Sequence, residues 1–221
     1  MRLLIVGTGT DVGKTHVSAC LLSLARRLGL HAIAYKPVAT GVIGECEDAA
    51  RHAAALGQPI VPPTFSYPRA VSPHLAAREA GRPIELDDVR RRAAELATRA
   101  DVLLVETAGG LFTPLGQGVT NVDLVKSLEP AVVVLVAPDR LGVLHDVTSC
   151  VVAAQARGLS ELVVVLSAPE VADGSTGGNA AELDALGLGP VAGVFPRTRV
   201  DDDASQGVAE AVWRALSARR G

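Results

Sequence analysis

Residues 2–15 read RLLIVGTGTDVGKT. A short, nearly all-apolar run passes into a glycine-rich turn and then Gly-Lys-Thr. That is the pattern of a strand, a phosphate-binding loop and a helix opening on the loop. The count departs from the usual one, in which four residues separate the first glycine from Gly-Lys. Here five residues lie between Gly7 and Gly13, and three between Gly9 and Gly13. The extra residue removes none of the physical requirements. Backbone N–H groups must turn inward at a strand end, and a helix N-terminus must face the phosphate. Gly13 permits close backbone approach, Lys14 neutralises phosphate charge and Thr15 offers its hydroxyl to Mg²⁺. A working, lengthened loop is expected. The helix it opens, HVSACLLSLARRLG, has apolar residues at helical spacing and a C-terminal glycine, Gly29.

Outward from this loop, strand-like runs recur: RLLIV (2–6), HAIAY (31–35), DVLLVE (101–106), AVVVLVA (131–137), ELVVVL (161–166) and PVAGVF (190–195). Several are continuously apolar rather than alternating, as strands covered on both faces are. Helical stretches separate them. The alternation predicts an α/β protein with a mostly parallel, doubly wound sheet and helices on both faces. Residues 1–221 are expected to form one domain. Segment 86–100 puts Leu86, Val89, Ala93, Leu96 and Ala100 on one stripe, so the triplet Arg90-Arg91-Arg92 reads as a solvated face. Two stretches, 37–48 and 107–119, break the rhythm after a strand, where the crevice of an open α/β sheet lies.

Composition excludes several classes. The chain is 48% hydrophobic and 3% aromatic, so its core is built from Val, Leu, Ile and Ala. With 21 basic and 24 acidic residues the formal charge is −3, which argues against nucleic acid as main partner. Cys20, Cys46 and Cys150 are dispersed, with no disulfide framework and no CxxC spacing. The longest apolar run, 131–137, is too short to cross a bilayer. The opening residues enter a strand without a leader pattern. No membrane association and a cytoplasmic location are therefore expected. Among acidic residues, Glu106 closes a strand facing the crevice and suits a Mg²⁺ ligand. Asp48 fits a helix start as well as a ligand, and the residues alone leave it open.

The motifs GTGTDVGKT (7–15), KPVATG (36–41), SPH (72–74) and ETAGGLFTPL (106–115) occur together in this order. With them the sequence resembles the dethiobiotin synthetases, ATP-dependent cyclo-ligases of biotin synthesis. The resemblance implies a P-loop NTPase-like fold and a homodimer with its substrate site near the interface. It implies Mg²⁺ as cofactor, ATP as co-substrate, and CO₂ and 7,8-diaminopelargonic acid as the other small molecules. It implies catalytic roles for Lys14, Lys36 and Thr10, and resolves Asp48 as a metal ligand beside Thr15 and Glu106. The nucleotide would lie along Asp11, Val12, Gly13, Lys14, Thr15, His16 and Asp48, and along Glu106, Thr107, Ala108 and Gly109. Its base would lie near Ser167, Phe195, Pro196 and Arg197. The diamine would meet Thr40, Ser72 and Pro73, and its carboxylate the backbone of Gly142 and Val143. No catalytic role falls to His74.

The chain departs from that family in three places that bear on the site. At one, Leu144-His145 stands where relatives have Asn-His, which removes an amide and leaves the backbone N–H groups of Gly142 and Val143 for the carboxylate. Thr107 replaces a glycine after Glu106, which puts the geometry of that loop in question. Ser167-Ala168-Pro169 stands where relatives have Asn-Asp, and a hydroxyl cannot supply an amide's coplanar donor and acceptor. Base recognition then rests on the backbone near Phe195–Arg197, and nucleoside triphosphates other than ATP remain open. Two rival readings have counter-indications. ParA- and MinD-type switches carry an early loop lysine, whereas Thr8, Gly9 and Thr10 stand here, and residues 208–220 read as a core helix. Amide ligases of the cobyrinic acid type need a glutaminase domain for which no segment is evident.

Overall fold

The computed structural model describes residues 1–188 and 190–218. Strand β1 (Arg2–Gly7) leads through the phosphate loop into α1 (Lys14–Arg27). Then come β2 (Ala32–Tyr35), β3 (Val38–Thr40), α2 (Glu47–Leu56), β4 (Phe65–Tyr67), α3 (Pro73–Glu79) and α4 (Leu86–Ala97). Next are β5 (Val102–Glu106), β6 (Pro114–Gly116), β7 (Val119–Thr120) and α5 (Asn121–Ser127). Three strand–helix pairs follow: β8 (Val132–Pro138) with α6 (Val143–Ala156), β9 (Leu162–Ser167) with α7 (Asn179–Ala185), and β10 (Val191–Phe195) with α8 (Asp203–Ala218).

Six strands form the central sheet in the order β10-β9-β8-β1-β5-β2, and every pairing is parallel. Each apolar run of the sequence falls on one of these strands. β1 sends the chain toward β2, while its neighbour β8 sends it toward β9. A crevice at the carboxyl ends follows from that divergence. Successive residues of β1 serve opposite faces. Leu4 and Val6 join a core with Val89, Ala93 and Leu96 of α4, Val122 and Val125 of α5, and Val147 of α6. Leu3 and Ile5 join a second core with Val17, Leu21 and Leu24 of α1, and Val212 and Leu216 of α8. Two buried faces explain why these strands are apolar without alternation. Each fully buried Val or Leu contributes about 1.5–3 kcal/mol.

Helix α1 stops where the sequence indicated. Gly29 takes φ 72°, its N–H donates to Arg26 O at 3.1 Å, and the Leu30 N–H donates to Ala25 O at 3.0 Å. This doubly bonded glycine stop satisfies the last carbonyls of the helix. On α4, Arg90 and Arg91 are exposed and pair with Asp87 and Asp88 one turn earlier, each at 3.1 Å, as a solvated face requires. Val212 and Leu216 of α8 are fully buried, so the last described helix is a core helix. Among the described residues no helix is long and apolar enough to cross a membrane. All three cysteines are free.

The two stretches expected to be irregular are partly ordered. β3, from the first, pairs in parallel with β4, and β6 and β7, at the edge of the second, form a small antiparallel pair. These pieces are two or three residues long, too short for a sequence period to show.

Candidate active site

The phosphate loop is a tight coil with a left-handed residue at each critical bend. Asp11 has φ 56° and Gly13, which precedes α1, has φ 95°. A Cβ at Gly13 would lie 2.2 Å from Ser167 Oγ, so only glycine lets the end of β9 pack against the loop. No side chain caps the start of α1, which leaves its first turn to the loop. Thr10 and Asp11 are exposed at the loop's crest, whereas Val12 is buried in the second core and offers only its backbone. Lys14 arches back over the loop and donates to Gly9 O at 2.9 Å. Burial pushes its pKa down to about 8, opposed by Glu106 and assisted by Lys36. His16 donates through Nε2 to Pro196 O at 2.7 Å, which ties the loop's helix to the segment after β10.

Below the loop lies a cluster centred on Glu106, the last residue of β5, whose side chain is fully buried. Its Oε1 accepts from Thr15 Oγ1 at 2.8 Å and from Lys36 Nζ at 2.8 Å. Its Oε2 accepts from Ser18 Oγ at 2.7 Å and from His52 Nε2 at 2.9 Å. Asp48, in the first turn of α2, accepts from Thr15 Oγ1 at 2.9 Å and pairs with Lys36 Nζ at 2.5 Å. Lys36 directly follows β2, and its side chain is 7% exposed. Burial opposes the charges on both partners, but their pairing wins. Glu106 and Asp48 hold the Lys36 ammonium above its ordinary pKa, and Lys36 and His52 hold the Glu106 carboxyl well below the usual range.

The cluster suits a magnesium ion in kind and in number. Thr15, Asp48 and Glu106 bring three hard oxygen donors together, each carboxylate within 2.9 Å of the threonine hydroxyl. Among the described residues no group of three or more His, Cys, Asp or Glu side chains could hold a metal unaided. Two carboxylates and a hydroxyl do not make a closed cage. They fit Mg²⁺, which keeps water and takes phosphate oxygens alongside one or two carboxylates.

β5 ends at Glu106, and the next residue still bonds back to β1. Thr107 is buried, and its N–H and hydroxyl both reach Ile5 O, at 3.0 and 3.4 Å. The turn comes at Gly109, φ 67°. A Cβ on Gly110 would meet Thr8 O at 3.0 Å, so the Ala108-Gly109-Gly110 segment lies directly on the phosphate loop. On the opposite flank, Ser167 is buried, Ala168 N–H donates to Phe195 O at 2.8 Å, and Arg197 is exposed.

The other sequence-derived residues are outside this hydrogen-bonded cluster. Thr40 ends β3, Ser72 precedes α3 with its hydroxyl 3.0 Å from His74 Nδ1, and Pro73 is the buried first residue of α3. Gly142 is exposed with φ 95° at the start of α6. Val143 buries its side chain and donates its N–H to Arg140 O at 3.1 Å, so Gly142 is the exposed member of that pair. Among the described residues no hydrogen bond joins Thr40, Ser72, Pro73 or Gly142 to the Glu106 cluster.

Sequence reasoning missed three groups. Ser18 lies three residues after Thr15 on α1, and His52 four after Asp48 on α2. Helical spacing from a named residue was the available signal for both. Asn121, fully buried, donates through Nδ2 to Ala108 O at 2.7 Å and Gly110 O at 2.8 Å, which braces the turn over the phosphate loop.

Comparison with known proteins agrees with this architecture. An AAA domain family model matches residues 1–203. An ATP-dependent dethiobiotin synthetase of Rhodococcus erythropolis is 36% identical over 218 residues, covering 96% of this chain and 95% of its own. One from Caulobacter vibrioides is 38% identical over 175 residues, covering 75% of this chain and 78% of its own. Among solved structures, the MinC:MinD cell division protein complex of Aquifex aeolicus matches with a TM-score of 0.62 at 15% identity, over 98% of this chain and 96% of that one. A ParA family ATPase of Chlorobium tepidum matches with a TM-score of 0.57 at 14% identity, over 97% and 90%. At such low identities the structural likeness speaks to the fold alone, that of the P-loop NTPases.

Proposed function

The chain belongs to the dethiobiotin synthetase family, and we propose that it closes the ureido ring of dethiobiotin from 7,8-diaminopelargonic acid, CO₂ and ATP. It is an ATP-dependent ligase of biotin biosynthesis. One observation carries the finer reading. A buried ammonium, Lys36, is fixed at 2.8 Å from Glu106, which also holds the hydroxyl of the phosphate-loop Thr15.

In the proposed sequence one amine of the diamine adds to CO₂ and loses a proton, giving a carbamate. A carbamate oxygen attacks the γ-phosphorus, the bond from that phosphorus to the β–γ bridging oxygen breaks, and ADP departs. The second amine attacks the carbamic carbon, phosphate leaves with its oxygen, and the ring closes as that nitrogen gives up a proton. The first transfer brings two anions together, a repulsion that fixed positive charge in a water-poor site must offset. Lys14 and Lys36 would supply it. Thr10, exposed at the crest, would orient the reacting groups. Thr15, Asp48 and Glu106 would hold Mg²⁺, whose chemistry is to neutralise β- and γ-phosphate oxygens.

The nucleotide's phosphates would lie along Asp11–His16 and its sugar side along Thr107–Gly109. Its base would lie between Ser167 and Phe195–Arg197, read by backbone groups rather than by an amide side chain. We assign the diamine to Thr40, Ser72 and Pro73 and its carboxylate to Gly142, in a homodimer whose interface borders that end of the site. The decisive assay gives purified protein the diamine, bicarbonate, Mg²⁺ and ATP together and with each omitted. Phosphate release requiring all four, with a product of dethiobiotin's mass, is expected. Release indifferent to the diamine rejects the reading.

A further inference from the structure

Glu106 is gripped on both oxygens, and the grip on Oε2 has no part in the chemistry described above. His52 stands one helical turn after Asp48 on α2, so the same face of one helix delivers both residues to the cluster. Its ring is 2% exposed and makes one hydrogen bond, from Nε2 to Glu106 Oε2. Its other nitrogen, Nδ1, is buried without a partner. An orphaned ring nitrogen costs stability that a leucine in the same place would not. Packing therefore does not account for a histidine in this alanine-rich helix; the contact with Glu106 does.

The division of partners has a direct consequence. Ser18 and His52 together occupy Oε2, so Oε1 is left facing Thr15 and Lys36. The terminal torsion of a glutamate is soft and broad. Without donors on the far oxygen the carboxylate could rotate and present a mixed face. We infer that His52 is a positioning residue that fixes the Glu106 carboxylate and thereby sets the affinity of the nucleotide-bound site for Mg²⁺. The inference rests on the assignment of Glu106 as a magnesium ligand. Outer partners of metal ligands typically change metal affinity by about 10–100-fold when removed.

The test measures the dissociation constant of a non-hydrolysable ATP analogue by calorimetry, once in saturating Mg²⁺ and once in excess EDTA. The ratio of the two constants reports coupling between metal and nucleotide. In His52→Leu that ratio should fall by about tenfold or more, while binding in EDTA stays at the native value. His52→Gln, which keeps an N–H near the position of Nε2, should recover most of the native ratio. Ser18→Ala, removing the other donor to Oε2, should lower the ratio as well and serves if His52→Leu does not fold. An unchanged ratio in His52→Leu and Ser18→Ala, or equal weakening in both media, overturns the inference. Glu106→Gln separates the two levels. A native ratio in that variant overturns the metal assignment itself, whereas a lost ratio there with native values at His52 and Ser18 overturns only the positioning role.

Discussion

The crevice has two flanks built from different materials. Where β1, β2 and β5 end, side chains do the work: Thr15, Lys36, Asp48, His52 and Glu106 form a network of charge-assisted hydrogen bonds in which Lys36, His52 and Glu106 are buried and Thr15 and Asp48 half-buried. Where β9 and β10 end, the contacts run through the main chain. Ala168 N–H bonds to Phe195 O, Pro196 O accepts from His16, and Ser167 meets Gly13 with no room for a Cβ between them. The first flank handles a developing charge, which calls for fixed ions in a low dielectric. The second faces the expected position of a flat base, for which spacing and backbone polarity suffice. Substitutions should therefore affect catalysis on one side and fit on the other.

The largest effect is expected on the charged flank. Lys36→Gln removes the ammonium while keeping a donor, and should cut ring closure on the order of 10²–10³-fold with nucleotide affinity little changed. Steady-state rates beside calorimetric binding decide it, and parallel loss of both would erase the distinction between the flanks. At their junction, Gly13→Ala adds a Cβ 2.2 Å from Ser167 Oγ at φ 95°. The left-handed strain alone is about 1–2 kcal/mol, and thermal unfolding together with weakened nucleotide binding should report it. Adding Ser167→Gly removes the crowding but not the strain, so recovery should be partial. Full recovery would make crowding the whole effect.

On the second flank, Ser167→Ala should change affinity for ATP, GTP and CTP alike by less than about 1 kcal/mol. A selective loss for ATP would move base recognition onto the hydroxyl. The smallest effect lies in the exposed loop beyond β9. There the Leu141 N–H, with Ser175, holds the Asp173 carboxyl down to about 2 from an ordinary 3.8. A depressed acid supports its contacts fully above the unfolded value and loses them as pH falls through the folded one. The Leu141 and Ser175 amide resonances should hold their native shifts above pH 4 and move only as pH approaches 2. Movement centred near 3.8 would mean the turn is not held in solution.

The charged flank was legible in part: motifs pointed to Lys14, Thr15 and Glu106, whereas Lys36 and Asp48 entered through the family resemblance. Gly-Lys-Thr fixed Thr15 and Lys14, and a terminal acid on an apolar strand fixed Glu106. The sheet was legible for a related reason: strands buried on both faces leave runs such as AVVVLVA that no other local structure explains as simply. His52 escaped because a histidine in EDAARHAAAL has no motif, only a phase relative to Asp48. For Val143, expected as an anion contact, the sequence did not reveal that the N–H of a helix-start residue can be satisfied locally, and here Arg140 O takes it. The short strands β3, β4, β6 and β7 offer too few residues for alternation, and their pairing depends on partners up to 27 positions away.

Glu106 and Lys36 are desolvated together, and buried ion pairs of this kind are often matched or exceeded in stability by apolar residues of similar volume, by about 1–4 kcal/mol. The heart of the crevice is thus a standing weakness in the fold, tolerated for the sake of turnover. If the gene were propagated under selection for heat resistance alone, in cells fed the finished vitamin, paired changes at positions 36 and 106 toward methionine and leucine should rank among the early survivors.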